Sequence, residues 1–225
     1  MQAQAFSPGF THVYAALIAM LNTLARDIGL LLVHRLAYSF NRSLVHRDEA
    51  TMMCVTKFIA HLINQRVLDC SIGKKLLPDL LEPGTDGSVR VAVEFLKACG
   101  PVVKQDSRAA FDYTVTHLRN IVKGGVLHRG GSSFSKSALS DLKERTRVEL
   151  QKLLLIVDQN FAGFPTAPGP DSVRVQQRSF NVSLLDNLDP EFELDFFKLD
   201  LDYEKTEAEY EKIKSRIFAD SRSWA

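Results

Sequence analysis

The stretch TKFIAHLINQRV, Thr56 to Val67, decides the reading of the chain, because a histidine and an Asn-Gln pair sit inside an otherwise apolar run. At about 100° per residue, Val55, Phe58, Ile59, Leu62 and Ile63 share one helical face, with Lys57, His61 and Asn64 on the other side and Gln65 near the end. That is an amphipathic helix with a polar stripe, either solvated or used for docking. A metal or catalytic role for His61 needs a second group at helical spacing. The histidines, His12, His34, His46, His61, His117 and His128, include no pair three or four residues apart, so no helical metal pair is formed.

The same period extends in both directions. Ser7-Pro8 reads as an N-cap followed by proline at the first helical position. Phe10, Val13, Tyr14, Leu17, Ile18 and Leu21 then recur at helical spacing. A second helix is predicted over about residues 26–40, with Ile28, Leu31, Leu32, Leu36 and Phe40 on one face. Asp48 caps the third, which carries the opening stretch. A fourth covers about residues 71–81 and stops before Pro83-Gly84, and a fifth, about residues 87–98, ends at Gly100-Pro101. A sixth spans about residues 107–123, and after the loop Gly130 to Ser133 a seventh spans about residues 137–160.

No strand-like alternation interrupts the series. Helix pairs start near residues 8, 48 and 86. A period close to 40 residues suits an all-α, HEAT-like solenoid of antiparallel helix pairs, in which each hairpin buries its apolar face by stacking on its neighbours. The expected organisation is a helical domain over residues 1–162, a Pro/Gly-marked linker over 163–180, and an acidic, partly extended C-terminal arm over 181–225 ending in a helix from about Tyr203 to Phe218.

Charge follows this division. The net charge of +1 is the sum of a body, residues 1–165, with 20 Lys+Arg against 14 Asp+Glu, and a tail, 166–225, with 8 against 13. A +6 body falls short of the basic stripe expected of a duplex-DNA binder and allows at most an indirect or weak, salt-sensitive RNA contact. The acidic arm, with Phe196 and Phe197 among its carboxylates, either is solvated or packs back on the body or on a partner. Cys54, Cys70 and Cys99 are far apart and form no C-x-x-C pair, which argues against a disulfide framework or zinc ribbon. No run is long and apolar enough to suggest a membrane span or a secretory signal, so no membrane role is expected.

Short motifs supply no chemistry. His46-Arg47-Asp48 spells part of a kinase catalytic loop, but no glycine-rich loop, strand lysine or D-F-G accompanies it. Gly73-Lys74-Lys75 lacks the spacing of a phosphate-binding loop. The glycine pairs around His128-Arg129 read as a flexible loop. Neither an enzyme nor a bound cofactor is expected.

Four blocks in order carry a resemblance: FTHVYAALIAMLN (Phe10–Asn22), TKFIAHLINQ (Thr56–Gln65), DGSVRVAVEFLKACG (Asp86–Gly100) and FKLDLDYEKTEAEYEKIKSRIF (Phe197–Phe218). Together they resemble the splicing branch of the family built on the middle domain of translation initiation factor four-G. The likeness is close over about residues 3–123 and clear over 186–218. It implies a HEAT-like nuclear scaffold that binds the DEAD-box RNA helicase of the exon junction complex, holds it open and inactive, and brings it to spliceosomal core proteins. The alternative within the same fold is a translation-initiation scaffold that binds the translational helicase. The resemblance also implies a helical hairpin ahead of the FTHVYAAL helix, where this chain has only Met1-Gln2-Ala3-Gln4. It aligns Arg145 with a basic position of the seventh helix and puts Val157-Asp158 where the family has Arg-Lys. Asn64, Gln65, Thr85, Asp86 and Arg145, at hairpin ends, and Phe196 and Phe197, on the arm, are the expected protein-binding residues.

Overall fold

In the computed structural model the described residues are 2–81, 85–122, 143–162, 179–181 and 201–221. The helices are α1 (Gln2–Phe6), α2 (Thr11–Leu24), α3 (Arg26–His46), α4 (Glu49–Asn64), α5 (Cys70–Leu81), α6 (Asp86–Asp106), α7 (Arg108–Val122), α8 (Glu144–Asp158) and α9 (Tyr203–Ser221). Among the described residues the only β pairing is an isolated parallel bridge between Leu68 and Phe180. The fold is all-α.

Three hairpins, α2–α3, α4–α5 and α6–α7, begin at residues 11, 49 and 86, close to the period read from the sequence. Their first helices stack in order, α2 on α4, α4 on α6 and α6 on α8, while α5 packs against α6 and α7, and α7 against α8. The centre of the stack is the α4–α6 contact. Val55, Phe58, Ile59, Leu62 and Ile63, the face expected to be apolar, are all buried there, and Phe95, Leu96 and Val103 of α6 are buried with them.

Three helix ends share a left-handed exit, whereas α2 and α6 end on extended residues, Ala25 and Ser107. Arg47, Arg66 and Asn160 follow α3, α4 and α8 in the left-handed region, with φ of 54°, 57° and 56°. After α4, the Arg66 amide donates to the Ile63 carbonyl at 2.9 Å and the Val67 amide to the Leu62 carbonyl at 3.0 Å, the paired closure of a Schellman motif. At the other end of the helices, Asp48 accepts from the Thr51 amide and Thr85 from the Ser88 amide, both at 3.2 Å.

Several expectations are corrected. Ser7 makes no side-chain cap; Pro8 opens a short 3₁₀ turn, Pro8–Phe10, and α1 precedes it. The second helix extends well past Phe40, to His46. Gly100-Pro101 does not stop α6, which continues to Asp106. The physical reason is packing: a Cβ on Gly100 would lie 2.6 Å from the Phe161 ring, so glycine admits that ring at the helix surface while burial of Val103 holds the next turn in place. The buried face of α2 is also not the one expected. Thr11, Ala15, Ala19 and Asn22 face the core, Tyr14 and Ile18 are partly buried, and Phe10, Val13 and Leu17 are at least half exposed. Small residues four apart let α2 approach its neighbours closely, and the large side chains are left outside.

Candidate protein-binding surfaces

Because the first helices of the hairpins run parallel, the stack has two edges. Asn64 lies near the end of α4 and is hydrogen-bonded to Ala98 in the second half of α6, whereas Arg90 in the first turns of α6 pairs with Glu49 at the start of α4. The 16 residues of α4 therefore separate the edges by about 24 Å.

Thr85, Asp86 and Arg145 fall on the edge formed by helix starts. Thr85 caps α6 and is itself exposed. The Asp86 carboxylate accepts from the Lys143 backbone amide at 2.9 Å, joining the start of α6 to the start of α8. Arg145, two residues further on, is exposed. The structure thus brings Asp86 and Arg145 to one place, with Asp48, Glu49 and Arg90 alongside. Hydrogen bonding to the Thr51 side chain and amide holds the Asp48 carboxyl below its ordinary range.

Asn64 and Gln65 lie on the other edge. Asn64 Nδ2 donates to the Ala98 carbonyl at 2.8 Å, so this residue ties two repeats together, while its Oδ1 is buried with no hydrogen-bond partner among the described residues. Gln65 is half-buried at the end of α4. Lys104 and Asn160, hydrogen-bonded at 2.7 Å, lie along the same edge. Phe196 and Phe197 lie outside the described residues.

His61, the residue that made the opening stretch ambiguous, sits between α4 and α2. Its ring centroid is 6.2 Å from that of His12, and burial, with smaller contributions from Lys57 and His12, pushes its pKa down to about 4. It is a neutral packing histidine at neutral pH. Between α6 and α8, burial alone would lower Lys97, but hydrogen bonds to Glu149 (2.6 Å) and Glu94 (2.8 Å) outweigh it and raise its pKa; Glu149, bonded to Lys97 and Lys152, falls to about 2. This network links repeats rather than poising a proton. Among the described residues no group of three or more His, Cys, Asp or Glu could hold a metal ion, and no helix is long and apolar enough to cross a membrane.

Sequence reasoning missed the outward face of α2. Phe10 is 63% exposed and Met20 57%, with Val13 and Leu17 between them and Phe6 of α1 beyond. Residues 1–25 contain no Asp, Glu, Lys or Arg. A helix that exposes large apolar side chains and carries no charged residue of its own has the character of a contact face. The uncharged run was the available signal.

Stacked helical hairpins of this kind define a helical-repeat domain. The family model of the MIF4G domain matches residues 1–160, and the chain belongs to that family. Curated relatives include the pre-mRNA-splicing factor CWC22 homologs of Caenorhabditis briggsae, 37% identical over 98% of this chain, and of Mus musculus, 34% identical over 99%. The human homolog is 34% identical over 96% of the chain. The chain spans 23%, 23% and 22% of the lengths of these three relatives.

Proposed function

We propose that this chain is a spliceosomal scaffold that binds the DEAD-box RNA helicase of the exon junction complex, keeps its two lobes apart, and brings it to the spliceosome in the nucleus. One observation carries the splicing assignment. Similarity to the pre-mRNA-splicing factors continues beyond residue 160, where the MIF4G match ends, and covers 98–99% of the chain in the nematode and mouse proteins. The acidic arm and α9 therefore go with the domain, as expected of a splicing protein rather than of any bearer of the fold.

The mechanism is conformational. A scaffold that prefers the open helicase shifts its population away from the ATP-closed form by its difference in affinity for the two states. No bond is made or broken by the chain, so it acts as a non-catalytic protein. The edge bearing Thr85, Asp86 and Arg145 is the first proposed contact, since it offers both charge signs at fixed spacing. The Asn64–Gln65 edge and the arm around Phe196 and Phe197 are the others. Spliceosomal core proteins take the remaining surface, and RNA contact is indirect or weak.

Exposed apolar side chains on α2 support a protein-binding role of the same kind. The test is binding of the purified chain to the exon-junction helicase, with Asp86→Lys and Arg145→Glu as variants. Each is expected to weaken the complex at least fivefold; Arg145→Glu, on an exposed side chain, should change stability by no more than about 0.5 kcal/mol, whereas Asp86→Lys also loses the bond to the Lys143 amide and should cost about 1 kcal/mol. Unchanged affinity in both variants removes this edge from the interface.

A further inference from the structure

The turn after α4 presents an open backbone edge. Arg66, in the left-handed region, lets the Val67 and Leu68 amides fold back on the Leu62 carbonyl at 3.0 and 3.3 Å. The Val67 carbonyl and the Asp69 amide are left facing outward. Phe180 satisfies both: its amide donates to the Val67 carbonyl at 2.8 Å, and its carbonyl accepts from the Asp69 amide at 2.9 Å. Its ring is 5% exposed. The Arg26 guanidinium, at the start of α3, stands 4.7 Å from the ring centroid. Gly29, one turn along α3, lies so close that a Cβ there would meet the ring at 3.1 Å. Flanking bonds complete the fit, from Ser179 Oγ to Asp69 Oδ2 at 3.4 Å and from Ser71 Oγ to Asn181 Oδ1 at 3.2 Å.

These parts form a built receptor: a backbone edge that fixes direction, a slot for one ring walled by a glycine, and a cation over the ring. All of them belong to the MIF4G-matched region, residues 1–160, while the occupant lies beyond it. We propose that the α4–α5 turn is a peptide socket that takes an extended segment presenting a phenylalanine, and that Phe180 of the chain's own arm is its resident, displaceable occupant. Recognition follows the logic of strand addition, in which main-chain bonds hold the segment and a side-chain slot selects it. Two backbone bonds and one ring are a small anchor. Tethering makes it sufficient, because belonging to the same chain gives the segment an effective concentration on the order of millimolar. A segment from another protein with the same ring and a second attachment point would displace it, freeing the acidic arm.

The test uses a fluorescent peptide, RVQQRSFNVSLL, with the sequence of residues 174–185, titrated into the full chain. Phe180→Ala should bind it at least tenfold more tightly than the unaltered chain, and a peptide with alanine in place of its phenylalanine should not bind. Adding Arg26→Ala should weaken binding severalfold. Hydrogen exchange at the Asp69 amide should quicken in Phe180→Ala and slow again on adding peptide. Should Phe180→Ala fail to fold, a protease site inserted between Gly169 and Pro170 keeps every native side chain and makes the arm a separate piece. After cutting, that piece should leave on dilution and peptide binding should appear. Equal peptide affinity in the unaltered chain and Phe180→Ala overturns the proposal. So does the absence of binding to both Phe180→Ala and the cut chain, or a cut arm that stays bound at nanomolar concentration.

Discussion

Helices α4 and α2 occupy equivalent places in successive hairpins and use their faces in opposite ways. In α4 the large apolar side chains are enclosed by α2, α3, α5 and α6, and the polar stripe carries links between repeats such as Asn64 to Ala98. In α2 a stripe of Thr11, Ala15, Ala19 and Asn22 meets the neighbours, and Phe10, Val13, Leu17 and Met20 face outward. Amphipathic periodicity thus identifies a helix without fixing which face is buried. Among the described residues the large apolar side chains are buried on α4 and exposed on α2.

The largest effect should come from truncating one aromatic ring in each setting. Phe95, fully buried in α6, should lose about 3–5 kcal/mol when changed to Ala. Phe10→Ala should change stability by no more than about 0.5 kcal/mol. Comparable shifts in urea midpoint for the two would erase the distinction between middle and end. Next is Gly100→Ala, which drives a methyl group into the Phe161 ring and should cost about 1–3 kcal/mol, partly restored by adding Phe161→Leu.

A smaller effect concerns pH. His61 has a folded pKa of about 4, below its unfolded value near 6.5, so the unfolded state binds more protons between those values. The contribution is fully present above about pH 6.5 and is lost as pH falls toward 4, on the order of 1 kcal/mol after allowing for a partly exposed ring. Burial lowers His117 in the same direction. Thermal melts should show a falling midpoint across this window, and His61→Gln should flatten it. The smallest change expected is a gain: Arg47→Gly removes a side chain from a left-handed position and should add about 0.5–1 kcal/mol, read by calorimetry.

Much of the fold was legible because it is local. The apolar face of α4 and the caps at Asp48 and Thr85 depend on residues within a few positions of one another. Gly100-Pro101 misled because its stop signal is local and weaker than the burial around it. Phe180, assigned to the linker, gave no local signal, since its partners Arg26, Val67 and Asp69 are more than a hundred residues away in the chain. Asp86 was noticed as a hairpin-end residue. Its bond to Lys143 required knowing that α6 and α8 start side by side.

Whether the chain is a splicing scaffold that holds a helicase open is decided by one paired measurement. The chain is titrated against the exon-junction DEAD-box helicase and its translational paralogue, recording affinity and RNA-stimulated ATP hydrolysis in each case. Tighter binding to the exon-junction helicase and slower hydrolysis by it are the expected results. Equal or preferential binding to the translational helicase, or binding that leaves hydrolysis unchanged, would contradict that role.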